Sequence, residues 1–453
     1  AAGATANISG GLGNDTINGV AFLAGTQTMD GGAGANILNV TAGVTNNAVT
    51  TTTAGTVTNM QTVNATFSDT TVGTLDVLAL ASATGVTTLN LLAGANGQVS
   101  TVTGLNSGVT VVSNNVFMDI INIDTAAAAT LTINQQAVAA GAMTITDATS
   151  VTIVNTAAAA GAVNNLVLDA VDTTTLVVNA TAATGSTIAT GAVTGTDQLA
   201  TLSTSTTAAG NTVIMGTVAD ADSLTSVTVA ASGGNITVGQ IGTSAGAGNA
   251  ELLATVNITA ADSSTVVFGG IEADDLTNSA TDLAMTVTAE AGLGSTIGLG
   301  TIDNTFGTVV ANLSGAGTLN STSLTADDVT VNASSGGTHG AVVATDDIII
   351  EASNSNALIF TSLDSGAAAT GAITATVTGS GAFNINGVVA SAGALTVDAN
   401  TASGAVTVVG SNWTGAAVLT GGTGADTLTG GAGNDSLTGG LGNDQLTAGA
   451  GTD

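Results

Sequence analysis

Short apolar segments with period-two alternation recur along the whole chain. They are rich in Val, Ile, Leu and Thr, and Gly, Asn, Ser or Asp stands at their ends. Examples begin at Thr74 (TLDVLALAS), Val151 (VTIVNT), Leu176 (LVVNA), Val227 (VTVAAS) and Leu395 (LTVDAN). This pattern is typical of β-strands that bury one face, whereas Gly, Thr, Asn and Val form helices poorly. We therefore predict an all-β protein.

The spacing of these segments predicts how the strands stack. DDVTVNAS begins at Asp327, and its near-copy DDIIIEAS begins at Asp346. GAITATV begins at Gly371, and the similar GALTVDA begins at Gly393. Strands at an irregular period near 20 indicate stacked coils with loops of variable length. A right-handed parallel β-solenoid (β-helix) fits this spacing, since each coil buries one narrow stripe against the next.

Two strand series interleave in the first half of the chain. One series runs through Leu131, Val151 and Leu176, and the other places Met143 and Leu166 between them. Tandem antiparallel β-sandwich domains are the alternative. The chain is poor in hairpin signals and contains no Pro, and this favours the solenoid.

The charge of the chain is entirely negative. It has 453 residues, with 31 carboxylates, one His, and no Lys, Arg, Cys, Pro or Tyr, so the formal net charge is -31. Without a cationic side chain, neither nucleic acid nor an anionic membrane has an electrostatic basis for binding. No apolar run is long enough for a membrane-spanning helix. Divalent cations are the obvious partners for the carboxylates.

A nonapeptide repeat at the C-terminal end supplies a metal-binding pattern. From Gly421 the chain reads GGTGADTLT, GGAGNDSLT, GGLGNDQLT and then AGAGTD. The glycines permit tight turns with converging carbonyls, and the Asp adds a hard oxygen ligand. Two nonapeptides make one coil, which brings Asp426 over Asp444 and Asp435 over Asp453. Carboxylates and turn carbonyls together supply the six to eight oxygens that Ca²⁺ prefers. The predicted metal-site residues of this run are Gly421, Gly424, Asp426, Gly430, Gly433, Asp435, Gly439, Gly442, Asp444 and Asp453.

An imperfect pair of the same repeats stands near the other end. GGLGNDTIN (residues 10–18) matches fully, whereas DGGAGANILN (residues 30–39) has Asn36 where the carboxylate belongs. If the two repeats stack, Asp15 and Asn36 face each other and Asp30 is a further candidate ligand. The loss of one carboxylate weakens a Ca²⁺ site.

The run of GGxGxDxUx repeats, with U an apolar residue, resembles the RTX calcium-binding β-roll. Together with GGAGANILNV, NMQTVNAT and long stretches rich in Thr, Ala, Val and Gly, the wider chain resembles bacterial surface-layer proteins of the RTX type, as in Caulobacter. The RTX motif covers about a tenth of the chain. The resemblance implies type I secretion from a Gram-negative cell, calcium-driven folding outside it, and a two-dimensional lattice on the cell surface. It places the anchor and the secretion signal in regions that this sequence does not show.

We expect three regions: residues 1–45, a degenerate RTX-like calcium-binding segment; residues 46–415, a β-solenoid rich in Thr, Ala, Val and Gly; and residues 416–453, an RTX β-roll. The fold class is thus an all-β, right-handed parallel β-solenoid with RTX β-roll segments at both ends. Both ends of the sequence look cut, which is expected of a portion of a longer protein.

Other acidic and catalytic patterns are less specific. Asp327 and Asp346 lie one coil apart, so they either bind a bridging Ca²⁺ or are solvated turn residues. A second acidic group stands in GGIEADDLT, at residues 269–277. GTSAG (residues 242–246) matches a nucleophile elbow but lacks the strand–turn–helix context, and His339 in SSGGTHGA is expected in an exposed turn. We predict that the protein is not an enzyme.

The sequence favours a secreted, calcium-dependent structural protein that assembles with copies of itself into a surface layer. Its expected location is the cell surface, and any contact with a cell-surface polysaccharide is expected through a region outside this sequence. The alternatives are an extracellular filament or matrix fibre, and an RTX adhesin or ice-binding module with Thr arrays at NATFSDTTVGT (residues 64–74) or VTTTTAGTV (residues 49–57). A regular outward Thr file would favour the ice-binding module, and irregular faces would favour assembly.

Overall fold

A computed structural model describes most of the chain. The described residues are 7–19, 28–42, 56–67, 75–79, 83–93, 98–113, 118–136, 142–158, 160–162, 165–168, 171–219, 221–242, 250, 252–273, 284–366, 371–389 and 392–453. Their regular structure consists of β-strands, and these residues include no helix long and apolar enough to cross a membrane. The chain forms two compact units, residues 1–220 and 221–453.

The first unit contains nineteen described strands. They are β1 (Asn7–Ser9), β2 (Thr16–Gly19), β3 (Thr28–Asp30), β4 (Ile37–Ala42), β5 (Thr56–Thr58), β6 (Thr62–Phe67), β7 (Leu75–Ala79), β8 (Ala83–Thr84), β9 (Thr88–Ala93), β10 (Gln98–Leu105), β11 (Thr110–Ser113), β12 (Met118–Gln135), β13 (Ala142–Asn155), β14 (Ala160–Ala162), β15 (Asn165–Val167), β16 (Thr175–Ala180), β17 (Thr187–Thr194), β18 (Thr201–Thr206) and β19 (Thr212–Val218).

The second unit contains eighteen described strands. They are β20 (Ser226–Ser232), β21 (Asn235–Ile241), β22 (Thr255–Ala261), β23 (Thr265–Glu272), β24 (Met285–Ala291), β25 (Thr296–Ser314), β26 (Thr318–Ala333), β27 (Gly337–Ala344), β28 (Ile348–Ala352), β29 (Leu358–Asp364), β30 (Ile373–Val377), β31 (Phe383–Ile385), β32 (Leu395–Asp398), β33 (Val406–Val409), β34 (Ala417–Thr420), β35 (Thr427–Thr429), β36 (Ser436–Thr438) and β37 (Gln445–Thr447).

Most strands pair in parallel with a strand one coil further along the chain. In the second unit β20 pairs with β22 and β22 with β24, while β21 pairs with β23 and β23 with β25. The strands β25 and β26 are long because each of them forms the strands of both series within one coil. Each coil thus adds one strand to each of two parallel series, which is the architecture of a β-solenoid. The predicted all-β parallel solenoid is confirmed, and its right-handedness stays a prediction.

The core is built from files of side chains that repeat once per coil. Because side chains alternate along a strand, every second residue points inward and meets its counterpart in the next coil. Small and β-branched residues fill this narrow interior, and branched side chains pack well on a pleated surface. One buried file of the second unit comprises Val227, Val256, Val287, Ala311, Val331, Ile350, Ala375, Val397 and Leu419.

The predicted strand register of the first unit is confirmed. Leu131 lies beside Val151 and Val151 beside Leu176, while Met143 lies beside Leu166 in the other series. All five side chains are buried. Two interleaved series in one stretch of sequence are therefore the two strands that each coil contributes.

The coils of the second unit are less uniform than the sequence period suggests. The coil from Leu428 to its register partner Leu446 is short, whereas the coil from Val256 to its partner Val287 is much longer. The near-copies after Asp327 and Asp346 pair with the offset that their positions predict, and so do those at Gly371 and Gly393. Turn loops absorb the differences, because the strand register depends only on the inward-facing files.

The expectation for His339 is wrong. It lies in β27 with only 1% of its side chain exposed, in register between Ser321 and Phe360. Its Nδ1 atom is 2.9 Å from the Ser321 Oγ atom, and its ring centroid is 5.4 Å from that of Phe360. Glycine is required beside it at positions 337 and 340. A Cβ at Gly337 or Gly340 would overlap a carbonyl of the neighbouring coil.

Several sequence predictions fall outside the described residues. The GTSAG segment is described only at Gly242, and the acidic pair in GGIEADDLT, Asp274 and Asp275, is not described. The candidate Thr arrays are described only in part, at residues 56–57 and 64–67. The boundaries predicted after residues 45 and 415 stay predictions.

Candidate metal centre

The C-terminal repeats stack as short coils of two nonapeptides each. Strand β35 pairs with β37, and β34 pairs with β36, so that Leu428 lies over Leu446 and Leu419 over Leu437. The Leu of each repeat forms the middle of a three-residue strand, and the GGxGxD segment before it forms the turn. Turns on the same side of the solenoid consequently lie directly above one another.

This stacking joins the Asp residues of successive coils. The backbone N–H of Asp426 donates to Oδ1 of Asp444 over 3.0 Å, and that of Asp435 donates to Oδ1 of Asp453 over 2.9 Å. The partners in each pair are one coil apart in the chain. The structure therefore brings together the two pairs that the repeat spacing predicted.

The carboxylates of Asp426 and Asp435 are buried, and each of their oxygens accepts one backbone hydrogen bond, which leaves lone pairs for a cation. Oδ1 of Asp426 accepts from Val406 N, and Oδ2 accepts from Gly422 N, both over 2.8 Å. Asp435 has the same arrangement with Ala417 N and Gly431 N. The exposed fractions of Asp426 and Asp435 are 1% and 5%. The chain has no Lys or Arg whose positive charge could offset these two buried carboxylates.

The glycines of the repeats leave the space that these carboxylates occupy. A Cβ added to the first glycine of a repeat would overlap the Oδ2 atom of the Asp in the same turn, and one added to the fourth position would overlap a backbone carbonyl of the preceding coil. The first set comprises Gly421, Gly430 and Gly439, and the second comprises Gly424, Gly433 and Gly442. Carbonyl oxygens of the next coil also approach the first set, at Gly421 from Gly439 and at Gly430 from Ala448.

These turns fit a calcium ion. Buried carboxylates need a compensating charge, and the chain has no Lys or Arg to provide it. Carboxylate and carbonyl oxygens converge around the glycines, and oxygen donors are the ligands that Ca²⁺ takes. Among the described residues no group of three or more His, Asp or Glu side chains forms a metal site. The remaining ligands of an ion would therefore be turn carbonyls.

The N-terminal repeats reproduce the stacking with one substitution. The backbone N–H of Asp15 donates to Oδ1 of Asn36 over 2.8 Å, as that of Asp426 does to Asp444. A Cβ at Gly10 would contact the Asp15 Oδ2 atom at 2.5 Å. That oxygen is buried and has no hydrogen-bond partner among the described residues. Asp15 thus offers an unused buried ligand atom, which a cation would satisfy.

Asn36 and Asp30 have different surroundings. Asn36 is fully buried, and its Nδ2 atom donates to the carbonyl of Asn59 over 2.9 Å. Oδ1 of Asp30 accepts from Asn59 Nδ2 over 2.8 Å and from Gly32 N over 2.9 Å, and these two bonds lower the pKa of Asp30. Asp30 thus bonds to its own turn and to the next coil. Asn36 supplies the backbone hydrogen bond of the missing Asp without its charge.

A third side chain continues the stack formed by Asp15 and Asn36, and it was not predicted. Gln61 accepts a hydrogen bond through Oε1 from the backbone N–H of Asn36 over 2.7 Å. Asp15, Asn36 and Gln61 therefore follow one another in successive coils. The signal in the sequence was the alternation of apolar and polar residues in NMQTVNAT, whose Val63 is buried beside Leu38 in the register. Gln61 could not be placed from the sequence, because the length of the coil between those two strands was not known.

The acidic pairs of the second unit stack as predicted from their spacing. The backbone N–H of Asp346 donates to the carbonyl of Asp327 over 2.9 Å, and that of Asp347 donates to Oδ1 of Asp328 over 3.0 Å. The charge of Asp347 raises the pKa of the exposed Asp346, and partial desolvation and the other two carboxylates add to the effect. A calcium ion bridging these pairs stays a prediction.

One family of known proteins matches the chain. The family described as RTX calcium-binding nonapeptide repeat (4 copies) matches residues 7–21 and 420–453, the two regions whose turns are described above. RTX nonapeptide repeats bind calcium, so the predicted cofactor is confirmed. No curated protein matches the chain.

Proposed function

We propose that this protein is a secreted, calcium-dependent structural protein that assembles with copies of itself into a layer on a bacterial cell surface. The observation that carries the proposal is the pair of buried carboxylates at Asp426 and Asp435 in a chain without Lys or Arg. A solenoid that buries anions without a counter-charge depends on a cation from its surroundings. RTX repeats in a β-solenoid fit a secreted protein of the RTX type, which meets calcium outside the cell.

Calcium has two roles in this proposal. It completes the turns, because the unfolded chain cannot bring Asp426 and Asp444 together, and binding energy then becomes folding energy. It also screens and bridges subunits that carry a formal charge of -31 each and would otherwise repel one another. The exposed stack of Asp327 and Asp346 is one place where a second subunit could share an ion.

The outward faces of the second unit favour assembly over ice binding. One outward file of the first strand series contains Thr330, Ile349, Thr374, Thr396 and Val418 in successive coils. The Thr residues alternate irregularly with exposed aliphatic residues, so this file is not a regular Thr array. Mixed Thr and aliphatic faces suit contacts between protein subunits, which combine apolar and polar area. An extracellular filament, which uses the same contacts in one dimension, is the second candidate.

Three further features belong to this proposal. The protein has no catalytic role, its partners are copies of itself, and it is exported by type I secretion from a Gram-negative cell. The buried position of His339, which removes the single His from solvent, supports the non-enzymatic role. The all-negative charge supports a partner other than nucleic acid.

Negative-stain electron microscopy with calcium and with a chelator tests the proposal. Ordered sheets should form in calcium and dissolve on chelation, whereas filaments would support the second candidate. Monomers in both conditions would overturn assembly. Folding is followed in the same samples through the fluorescence of Trp413, the single tryptophan, which is fully buried beneath the repeat coil. Loss of sheets with Trp413 still buried separates failed assembly from failed folding.

A further inference from the structure

The outer surface of the second unit carries a groove with rows of polar side chains, far from the RTX turns in sequence. It crosses four coils where strands β25, β26, β28 and β30 end, and its volume is about 470 Å³. One row of its lining is Asn312, Asn332, Glu351 and Thr376, which lie side by side in the strand register. We call this feature the Glu351 groove.

A second row of hydroxyl groups runs parallel to the first. It includes Ser334 and Ser353, each of which directly follows a strand and donates its backbone N–H to a carbonyl of the preceding coil, over 2.8 Å in both cases. The two rows repeat once per coil, and neighbouring parallel strands lie about 4.8 Å apart. The groove is therefore a ladder of amide and hydroxyl groups with a regular step.

The side chains of the groove have hydrogen-bonding capacity left over. Nδ2 of Asn332 donates to Oδ1 of Asn312 over 2.9 Å, and neither the Asn332 amide oxygen nor the Asn312 amino group has a hydrogen-bond partner among the described side chains. Glu351 is exposed, and its carboxylate makes no hydrogen bond within the described part of the chain. Its carboxylate and the Asn332 amide are adjacent, so a donor-rich ligand can bind both.

The chemistry of the groove selects the class of ligand. Its lining contains no cationic side chain, so anionic groups such as phosphate or sulfate are repelled by Glu351 and by the net charge. Its lining combines polar side chains with apolar carbon surface, so a ligand that offers hydroxyl groups together with C–H faces fits it. A neutral polyhydroxyl chain satisfies both conditions, because adjacent hydroxyls donate to the carboxylate and accept from amides and Ser hydroxyls.

We propose that the Glu351 groove binds a neutral polysaccharide chain, with one sugar ring over each coil. The step between coils is close to the length of a sugar ring, so successive rings meet successive rows of the ladder. This inference goes beyond assembly and stands without it, because the ligand is held by a single chain. It assigns glycan binding to residues of this sequence, in addition to any region outside it.

A panel of defined oligosaccharides tests the groove. Maltohexaose, cellohexaose, mannohexaose and chitohexaose serve as neutral probes, and hexagalacturonate as an anionic one. Binding to the full chain in saturating calcium is detected by saturation-transfer NMR and quantified by calorimetry. At least one neutral hexasaccharide should bind, and hexagalacturonate should not. Failure of all four neutral probes, or equal binding of the anionic one, overturns the proposal.

Two variants locate the site and two controls match them. Glu351→Gln should weaken the bound neutral sugar about tenfold, and Asn332→Ala about fivefold, because charged hydrogen bonds contribute more than neutral ones. Asp364→Asn and Asn384→Ala change a partly buried Asp and a partly buried Asn of the other strand series, away from the groove. Both controls should bind like the parent chain. Trp413 fluorescence and the Tm verify folding, and a sugar that binds all four variants equally would place the site elsewhere.

Discussion

The backbone N–H of Asp426 donates a hydrogen bond to Oδ1 of Asp444, one coil further along the chain. The same bond joins Asp15 to Asn36, where the acceptor is an amide oxygen. The acceptor role of this position is therefore independent of charge. A carboxylate here holds the coils together as any amide would, and in addition supplies a charged ligand for calcium.

Asp444→Asn separates these two roles. The Asn can still accept the Asp426 N–H, so the unfolding free energy without calcium should stay within about 0.5 kcal/mol or rise slightly as repulsion falls. Calcium affinity should fall at least about tenfold, because a charged ligand is lost. Calorimetric calcium titration and urea unfolding followed at Trp413 measure the two quantities. Asp398→Asn, which changes an exposed Asp bonded to the nearby Asn400 N–H, is the control and should leave calcium affinity unchanged. An equal loss in both variants would mean a general charge effect.

Asn36→Asp should destabilise the protein without calcium and stabilise it with calcium. Without the metal, the new carboxylate loses the donor that binds the Asn59 carbonyl and faces that oxygen directly, at a cost of about 3 kcal/mol. With calcium, the second charge beside the unpartnered Oδ2 of Asp15 completes the ligand pattern of the C-terminal turns and strengthens binding. Thermal unfolding in chelator and in calcium measures both effects. Destabilisation of equal size in the two conditions would contradict a metal site at Asp15.

Register was predictable wherever two signals agreed. Leu131, Val151 and Leu176 were aligned correctly because each begins a short apolar segment that follows a Thr or Ser and ends at an Asn. Asp426 and Asp444 were aligned because the nonapeptide fixes both the turn and the strand. In these places the local turn chemistry and the inward-facing file require the same offset.

His339 could not be placed in this way. The glycines around it have two structural explanations, a turn or close packing of neighbouring coils, and sequence composition does not distinguish them. The structure selects close packing, because Ser321 and Phe360 lie beside His339 in adjacent coils. The groove at Glu351 was missed for a related reason. Its residues are ordinary outward-facing positions until the unequal lengths of the coils between them are known.

A ladder of asparagines should stabilise the first unit. Asn39, Asn64 and Asn90 each donate through Nδ2 to the Oδ1 atom of the Asn in the preceding coil, over 2.7 Å at every step, beginning at Asn18. Asn64→Ala breaks two of these bonds and should lower the unfolding free energy by about 2 kcal/mol, whereas Asn90→Ala breaks one and should cost about 1 kcal/mol. Urea unfolding followed by circular dichroism measures both. Equal effects would mean that the ladder bonds do not determine the loss.

The close approach of coils at the repeat turns should make glycine indispensable there. A Cβ at Gly433 would overlap the backbone carbonyl of Gly415, and backbone cannot move aside without shifting the coil. Gly433→Ala should therefore cost about 3 kcal/mol and weaken calcium binding. Gly298→Ala is the matched control, since its nearest neighbour, the Val266 carbonyl, would lie 3.9 Å away. That variant should be neutral or more stable by about 0.5 kcal/mol. Similar destabilisation by both substitutions would refute the packing argument.

Burial of His339 should make the second unit sensitive to acid. Desolvation lowers the pKa of His339 from 6.5 to about 4, since the Ser321 hydroxyl and the Phe360 ring offer no charge to the imidazolium. The unfolded chain therefore binds a proton more readily than the folded one between pH 6.5 and 4. The stabilisation is present above pH 6.5 and is lost as the pH falls toward 4.

His339→Phe removes this titration while retaining an aromatic side chain against Phe360. Between pH 7 and pH 5 the parent chain should lose about 2 kcal/mol more unfolding free energy than the variant, because the carboxylates titrate in both and their contribution cancels in the difference. Urea unfolding at the two pH values, in chelator so that calcium release does not contribute, measures the difference. Equal pH dependence in the two proteins would show that the imidazole is hydrated or paired in solution, and that its burial against Ser321 and Phe360 does not persist.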